Sequence, residues 1–304
     1  MKIPLLFLLA FFVPPIAAAD GRIPISGPAT LTQPGSYYVT RDFSNNGLAS
    51  AIIIDNNDIT LDLNGHTLTC GSGTAYCVET VNRMRIRITG GTLRGGNIGL
   101  DFYNDGFNGS FTIDHMQLTG QSTTAINIYG ASSLSIQADI SDNRITNVNA
   151  GIALYYLNGG RIDHNLIQQT TGGDAVYINN SSGMSVRDNT ISVGSQHGIS
   201  LETSATIDIT GNNVGTVRYG SEAILLNNSS LCRISQNIAS PQGISIRNSI
   251  YNTIDWNLGS CTCIGSPICY CVGLAIDSNG ANVYSNNRGG QSVGTGNIDG
   301  GGNH

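Results

Sequence analysis

Asp174, His197 and Glu222 are separated by 23 and 25 residues, and each stands just before a small residue, Ala175, Gly198 or Ala223. An apolar residue follows in all three places: Val176, Ile199 and Ile224. If that spacing is one turn of a repeating coil, the three side chains share one row, roughly 4.8 Å from neighbour to neighbour. The two carboxylates would then lie roughly 9–10 Å apart with an imidazole between them. Such a pair has the upper separation at which one carboxylic acid and one carboxylate can flank a bond and a water. The imidazole could carry a proton between them. Glu202, five residues beyond His197 on the same coil, is a further candidate acid or orienting group. The ordinary alternative is a solvated edge, because Asp and His also suit tight corners.

The element that would position them is a repeat. The pattern small–apolar–x–apolar begins at Ala51, Cys77, Gly99, Ala125, Gly151, Ala175, Gly198, Ala223, Gly243 and Gly273. Its first apolar members run from Ile52 to Leu274 with a mean period near 25 residues. Only Thr80 breaks the second apolar column. Each unit adds a second strand, as in "MSVRD" and "TIDIT", then an Asn-bearing corner and a third strand, as in "DNTI", "GNNV", "QNI" and "WNL". Alternation with period two sends one side of each strand inward. Asn tolerates the left-handed backbone of a corner, and a stack of Asn can hydrogen-bond from coil to coil. Three strands per 25-residue turn predict an all-β, right-handed parallel β-helix of about ten coils over residues 47–290. No segment sustains a 3.6 period, and the leucine-rich signature is absent.

Stacking turns columns of the repeat into rows on the surface. Three residues after the first apolar position come Tyr103, Tyr129 and Tyr155, with Tyr177 offset beside them. This aromatic ladder suits the flat faces of sugars, and repeated subsites suit a polymer. Stacked tyrosines also stabilise a bare β-surface, so the ladder reads both ways. Arg218 and Arg247 are the cations placed to reach a ligand on this side.

The units resemble the parallel β-helix repeats of secreted carbohydrate-active proteins over about residues 47–290. "DAVYIN" at 174 and "QHGISL" at 196 are similar to paired segments of polygalacturonases, and the same Asp and His are similar to positions in mannuronan C5-epimerases. The polygalacturonase resemblance assigns Asp174 and His197 to the active site. The first Asp of its Asp-Asp pair falls on Gly173, and the catalytic Asp of the preceding coil falls on Ala150. The resemblance implies an exported protein that binds, and cleaves or modifies, a polysaccharide.

Bulk properties narrow the classes further. One lysine, an apolar run and Ala17–Ala19 read as a secretory signal over residues 1–19, with an N-terminal cap over 20–46. The expected location is extracellular or periplasmic. Lys2 is the only lysine, and a net charge of −6 disfavours nucleic acid and anionic membranes. No other apolar run approaches the roughly 18 residues of a membrane span. Cys70 and Cys77 flank a short turn and predict a disulfide, whereas Cys232 falls at an apolar position and predicts a buried free thiol. Cys261, Cys263, Cys269 and Cys271 fit two further disulfides, with a four-thiolate zinc site as the rival. The histidines form no metal cluster in the repeat, and no cofactor is expected. Residues 291–304 are Gly-rich and read as a flexible tail. The competing functional class is a surface, adhesion or scaffold protein without catalysis.

Overall fold

The computed structural model describes residues 21–303 except 48, 169, 193, 195, 216–220, 241–242, 260–273, 278–280, 290 and 294. The signal segment, Arg218 and the four cysteines from Cys261 to Cys271 lie outside the described residues. The chain is a parallel β-solenoid with no helix among the described residues. The first strands of the coils form a 12-stranded parallel sheet, and the second and third strands form one of 21 strands. The 12-stranded sheet exceeds the ten repeats by Ala29–Leu31 at one end and Gln291–Val293 at the other. Neither "ATL" nor "QSV" carries the small–apolar–x–apolar pattern, so neither was countable. The Gly-rich segment also supplies Ile298–Asp299, paired with the strand Val283–Ser285.

The repeat columns are the core. In register, Ile152 pairs with Val176, then Ile199, Ile224, Ile244 and Leu274, and all are at most 2% exposed. Thr80, the one polar member of the second column, is buried and donates its hydroxyl to the Ile54 carbonyl at 3.0 Å. The small residue before each first strand has a steric cause. A Cβ on Gly198 would stand 2.2 Å from Val214 Cγ1 and 2.7 Å from the Ala223 oxygen. The corner is closed by close approach, so His197 is held beside a position where nothing larger fits.

The predicted Asn stack is present at the corner before the third strand. Asn143, Asn165, Asn189, Asn212, Asn237, Asn257 and Asn287 are all buried. Asn189 is typical. Its backbone N–H and its side-chain amide both donate to Asn212 Oδ1, at 3.0 and 2.9 Å, and the amide also donates to the Ile162 carbonyl at 2.9 Å. Its own oxygen accepts the corresponding pair from Asn165. The left-handed backbone falls one residue earlier than expected, on Asp142, His164, Asp188, Gly211, Gln236, Trp256 and Asn286. The ladder Asn must point inward to reach its neighbours, and the residue before it makes the turn.

A second polar spine, not anticipated, runs along the corner after the first strand. The hydroxyls of Ser181, Ser204, Ser229 and Ser249 accept the backbone N–H groups of Leu157, Ser181, Ser204 and Ser229. Both spines answer the same requirement, because a buried N–H without a partner is costly.

Asn189→Ala leaves the buried Asn165 backbone N–H without its acceptor, takes one of three acceptors from the Asn165 amide and removes the amide donor to the Ile162 carbonyl. We expect a loss of about 2–4 kcal/mol in unfolding free energy, measured by urea denaturation. An unchanged midpoint would remove the ladder from the account of stability.

Candidate functional site

The coil register delivers Asp174, His197 and Glu222 to one row. The Ala175 N–H donates to the His197 carbonyl at 3.1 Å, and the Gly198 N–H donates to the Glu222 carbonyl at 3.3 Å. The backbone ladder therefore continues through the corner and sets the three side chains side by side. His197 Nδ1 lies 3.0 Å from Asp174 Oδ1, and Nε2 lies 3.0 Å from Glu222 Oε2. Asp174 Oδ1 also accepts the His197 backbone N–H at 2.9 Å. Arg247, from the next coil, closes the row by an ion pair with the other oxygen of Glu222. The side chains are 10%, 23% and 14% exposed from Asp174 to Glu222, so the row is nearly dry.

Burial works to depress the imidazole pKa, but hydrogen bonds and charge attraction from Asp174 and Glu222 prevail and raise it to about 9. At neutral pH both ring nitrogens therefore carry protons and donate to carboxylates. Burial also works to raise the Glu222 carboxyl, yet His197 and Arg247 hold it below the usual range. The imidazolium fills the space between the carboxylates that a hydrolytic water would need. Its proton is also bound too firmly to be passed on readily at pH 7. The row is best suited to fixing one carboxylate, Asp174, in a defined place.

Glu202 is not brought to this row. It ends the strand Ile199–Glu202, where the side-chain amides of Asn227 and Asn228 donate to it at 2.9 and 3.1 Å. Arg247 is occupied by Glu222, so its charge is spent within the protein.

The tyrosines do form a ladder. Tyr103 and Tyr129 stack with centroids 5.3 Å apart and planes 12° apart. Tyr129 and Tyr155 are 5.7 Å apart and tilted, and Tyr155 meets Tyr177 edge-on at 5.6 Å. Tyr156 joins edge-on to Tyr129 at 5.3 Å, an addition that sequence reasoning missed. The doubled Tyr in "ALYYL" was its only signal, and the left-handed backbone at Tyr156 is what turns its ring outward to Tyr129. At its Tyr177 end the ladder reaches a depression of about 250 Å³, walled by Tyr155 and Tyr177 over Ala150 and Ala153. Asp174 and Gln196 stand in the same depression. Burial, with Tyr177 and Asp174 nearby, raises the Tyr155 phenol, which remains a hydrogen-bond donor. Small side chains at Ala150 and Ala153, where other coils carry larger ones, open this space.

A family model described as periplasmic copper-binding protein (NosD) matches residues 87–292. The chain belongs to the NosD family. No curated protein matches it. The family description names a copper protein of the periplasm, and the described residues can be tested against that metal. Copper is held by thiolate, thioether or free imidazole nitrogen. Both nitrogens of His197 face carboxylates, whereas His66, His115 and His164 each turn Nδ1 to a different aspartate and are not gathered with one another. Cys70 and Cys77 form a disulfide, and Cys232 is a buried free thiol, both as expected. Among the described residues no cluster of three or more His, Cys, Asp or Glu could hold a metal ion. The described histidines, cysteines and carboxylates of this NosD-family chain therefore assemble no copper site.

The His197 pKa makes stability depend on pH. An unfolded imidazole titrates near 6.5, and the folded one near 9. The stabilisation is complete below about pH 6.5, declines as the pH rises through the folded value and is gone above it. We expect the wild-type chain to lose up to about 3 kcal/mol relative to His197→Gln across that interval. Chemical denaturation at stepped pH measures the difference, and parallel profiles would exclude a charged His197.

Proposed function

We propose that this NosD-family β-solenoid is an exported polysaccharide-binding protein. Its ligand lies along the face of the 12-stranded sheet. The observation that carries the reading is the tyrosine ladder running into a depression with a fixed carboxylate. Sugar rings present apolar C–H faces to aromatic planes and hydroxyls at their edges. Tyr103, Tyr129 and Tyr155 offer the planes at the coil spacing, which suits a repeating chain. Tyr177 closes the end of the depression, and Asp174 and Gln196 meet hydroxyls there. A carboxylate accepts such hydrogen bonds strongly, and His197, backed by Glu222 and Arg247, holds Asp174 in place through its ring and its backbone N–H.

The role of Asp174, His197 and Glu222 in this reading is positioning for binding rather than bond cleavage. Both carboxylates are engaged by the imidazolium, which occupies the space between them.

Binding of the mature protein to immobilised polysaccharides, with a parallel assay for new reducing ends and unsaturated products, tests the proposal. One polymer or more should be retained without being cut. Tyr155→Ala and Tyr177→Ala should each lower affinity by about tenfold or more, near 1.4 kcal/mol, and Asp174→Asn should weaken it less. Retention unaffected by all three changes, or no retention of any polysaccharide, would sink the proposal and leave a scaffold role.

A further inference from the structure

A second site stands at another corner of the solenoid, away from the tyrosine face. The turn before each ladder Asn has positive φ, and its residues in successive coils are Asp142, His164, Asp188, Gly211, Gln236, Trp256 and Asn286, with φ between 52° and 72°. Glycine and small polar residues suit that backbone, whereas a bulky side chain is out of place there. Trp256 has φ 56° and is 62% exposed, so burial does not compensate the strain. It is also the only tryptophan in the chain.

The coils beyond it step down in size. The same column continues from Trp256 to Asn286 and then Gly302, and the step leaves a depression of about 410 Å³ beside the indole. A Cβ on Gly302 would meet Asn286 Oδ1 at 2.1 Å, so this floor does not admit a larger residue without rearrangement. Leu258 and Arg288 form the adjoining wall, stacked on one another by a parallel bridge. The Asn257 amide in the same depression is fully used, donating to Asn287 Oδ1 and to the Ile234 and Asp255 carbonyls.

The indole and the Arg288 guanidinium are the aromatic and the charged group left to meet a ligand, with the Asn286 amide beside them. No acidic side chain pairs with Arg288 among the described residues. Asp255 faces Arg233 at 3.6 Å, and Asp299 accepts from the Gly301 N–H and the Asn303 amide. The backbone of Arg288 is fixed, its N–H donating to the Asn257 carbonyl and its carbonyl accepting from the Gly259 N–H, both at 2.9 Å. An exposed, unpaired guanidinium beside an exposed aromatic plane matches a ring with one anionic group at its edge. The indole takes the C–H face, and the planar fork takes a carboxylate through two parallel hydrogen bonds. A single cation matches the single charge of a carboxylate better than the nearly double charge of a phosphate.

We propose that the Trp256 corner is a binding site for a carboxylate-bearing pyranose, a hexuronate residue of an acidic glycan, with the ring on Trp256 and the carboxylate on Arg288. The site is independent of the tyrosine face, which lies on the other sheet. Because Trp256 is the sole tryptophan, the intrinsic tryptophan emission of the full chain reports on this corner alone.

Titration with oligogalacturonate and oligoglucuronate should change that emission saturably. Neutral galactose and glucose oligomers of the same length should bind at least about tenfold more weakly. Arg288→Gln, with an unchanged far-ultraviolet circular dichroism spectrum, should weaken uronate binding by about tenfold and abolish the discrimination. Tyr155→Ala should leave the titration unaltered, which separates this site from the one on the tyrosine face. The proposal is overturned if neither uronate oligomer changes the emission, if neutral oligomers act equally, or if Arg288→Gln titrates like the wild type.

Discussion

Everything functional in this molecule depends on one constraint, the in-register stacking of coils at the spacing of a parallel sheet. Parallel pairing alone specifies only the strands. The corners need their own registration, because the chain leaves the sheet there and its N–H groups would otherwise be stranded. Buried polar spines provide it. Asn143 to Asn287 hold one corner, each amide bridging to the next coil while its oxygen accepts from the coil before. Ser181 to Ser249 hold another with hydroxyls. Polar groups in a core are usually a liability. Here they are fully paired and repeat at every step, so a slip of one coil would unpair the whole column.

The same constraint explains why a row of charges can exist in a nearly dry place. Asp174, His197 and Glu222 could not be gathered by three flexible loops without a large ordering cost. On the solenoid their backbones are already fixed, and the side chains need only meet. The order of charges matters: a cationic imidazolium sits between two anions, and Arg247 balances the outer one. The result orients Asp174 toward the depression beside Tyr155 and Tyr177.

Much of this was legible in the sequence because the repeat is strict where it faces the core. The columns beginning at Ile52 and Ile54 predicted burial, the coil plan and which residues share a row. The tyrosine ladder and the Asp174–His197–Glu222 row followed from counting. What sequence could not supply were relations that cross rows. The pairing of Arg247 with Glu222 is diagonal, from the far end of one strand to the start of its neighbour. Tyr156 reaches Tyr129 only through a left-handed turn that periodicity does not encode. The end coils lay hidden for another reason: "ATL" and "QSV" lack the small–apolar–x–apolar signature by which coils are recognised.

One consequence lies in how the charged row is distributed along the rod. Its members come from consecutive coils, with Arg247 on a further one, whereas the tyrosines Tyr103, Tyr129 and Tyr155 belong to coils nearer the start of the chain. In a solenoid each coil touches only its neighbours, so unravelling proceeds inward from an end. Fraying from the C-terminal side strips away Arg247, then Glu222, then His197, before it reaches the aromatic platform. Fraying from the opposite end takes Tyr103 first, so the two ends of the rod control different portions of this face, the charged one and the aromatic one.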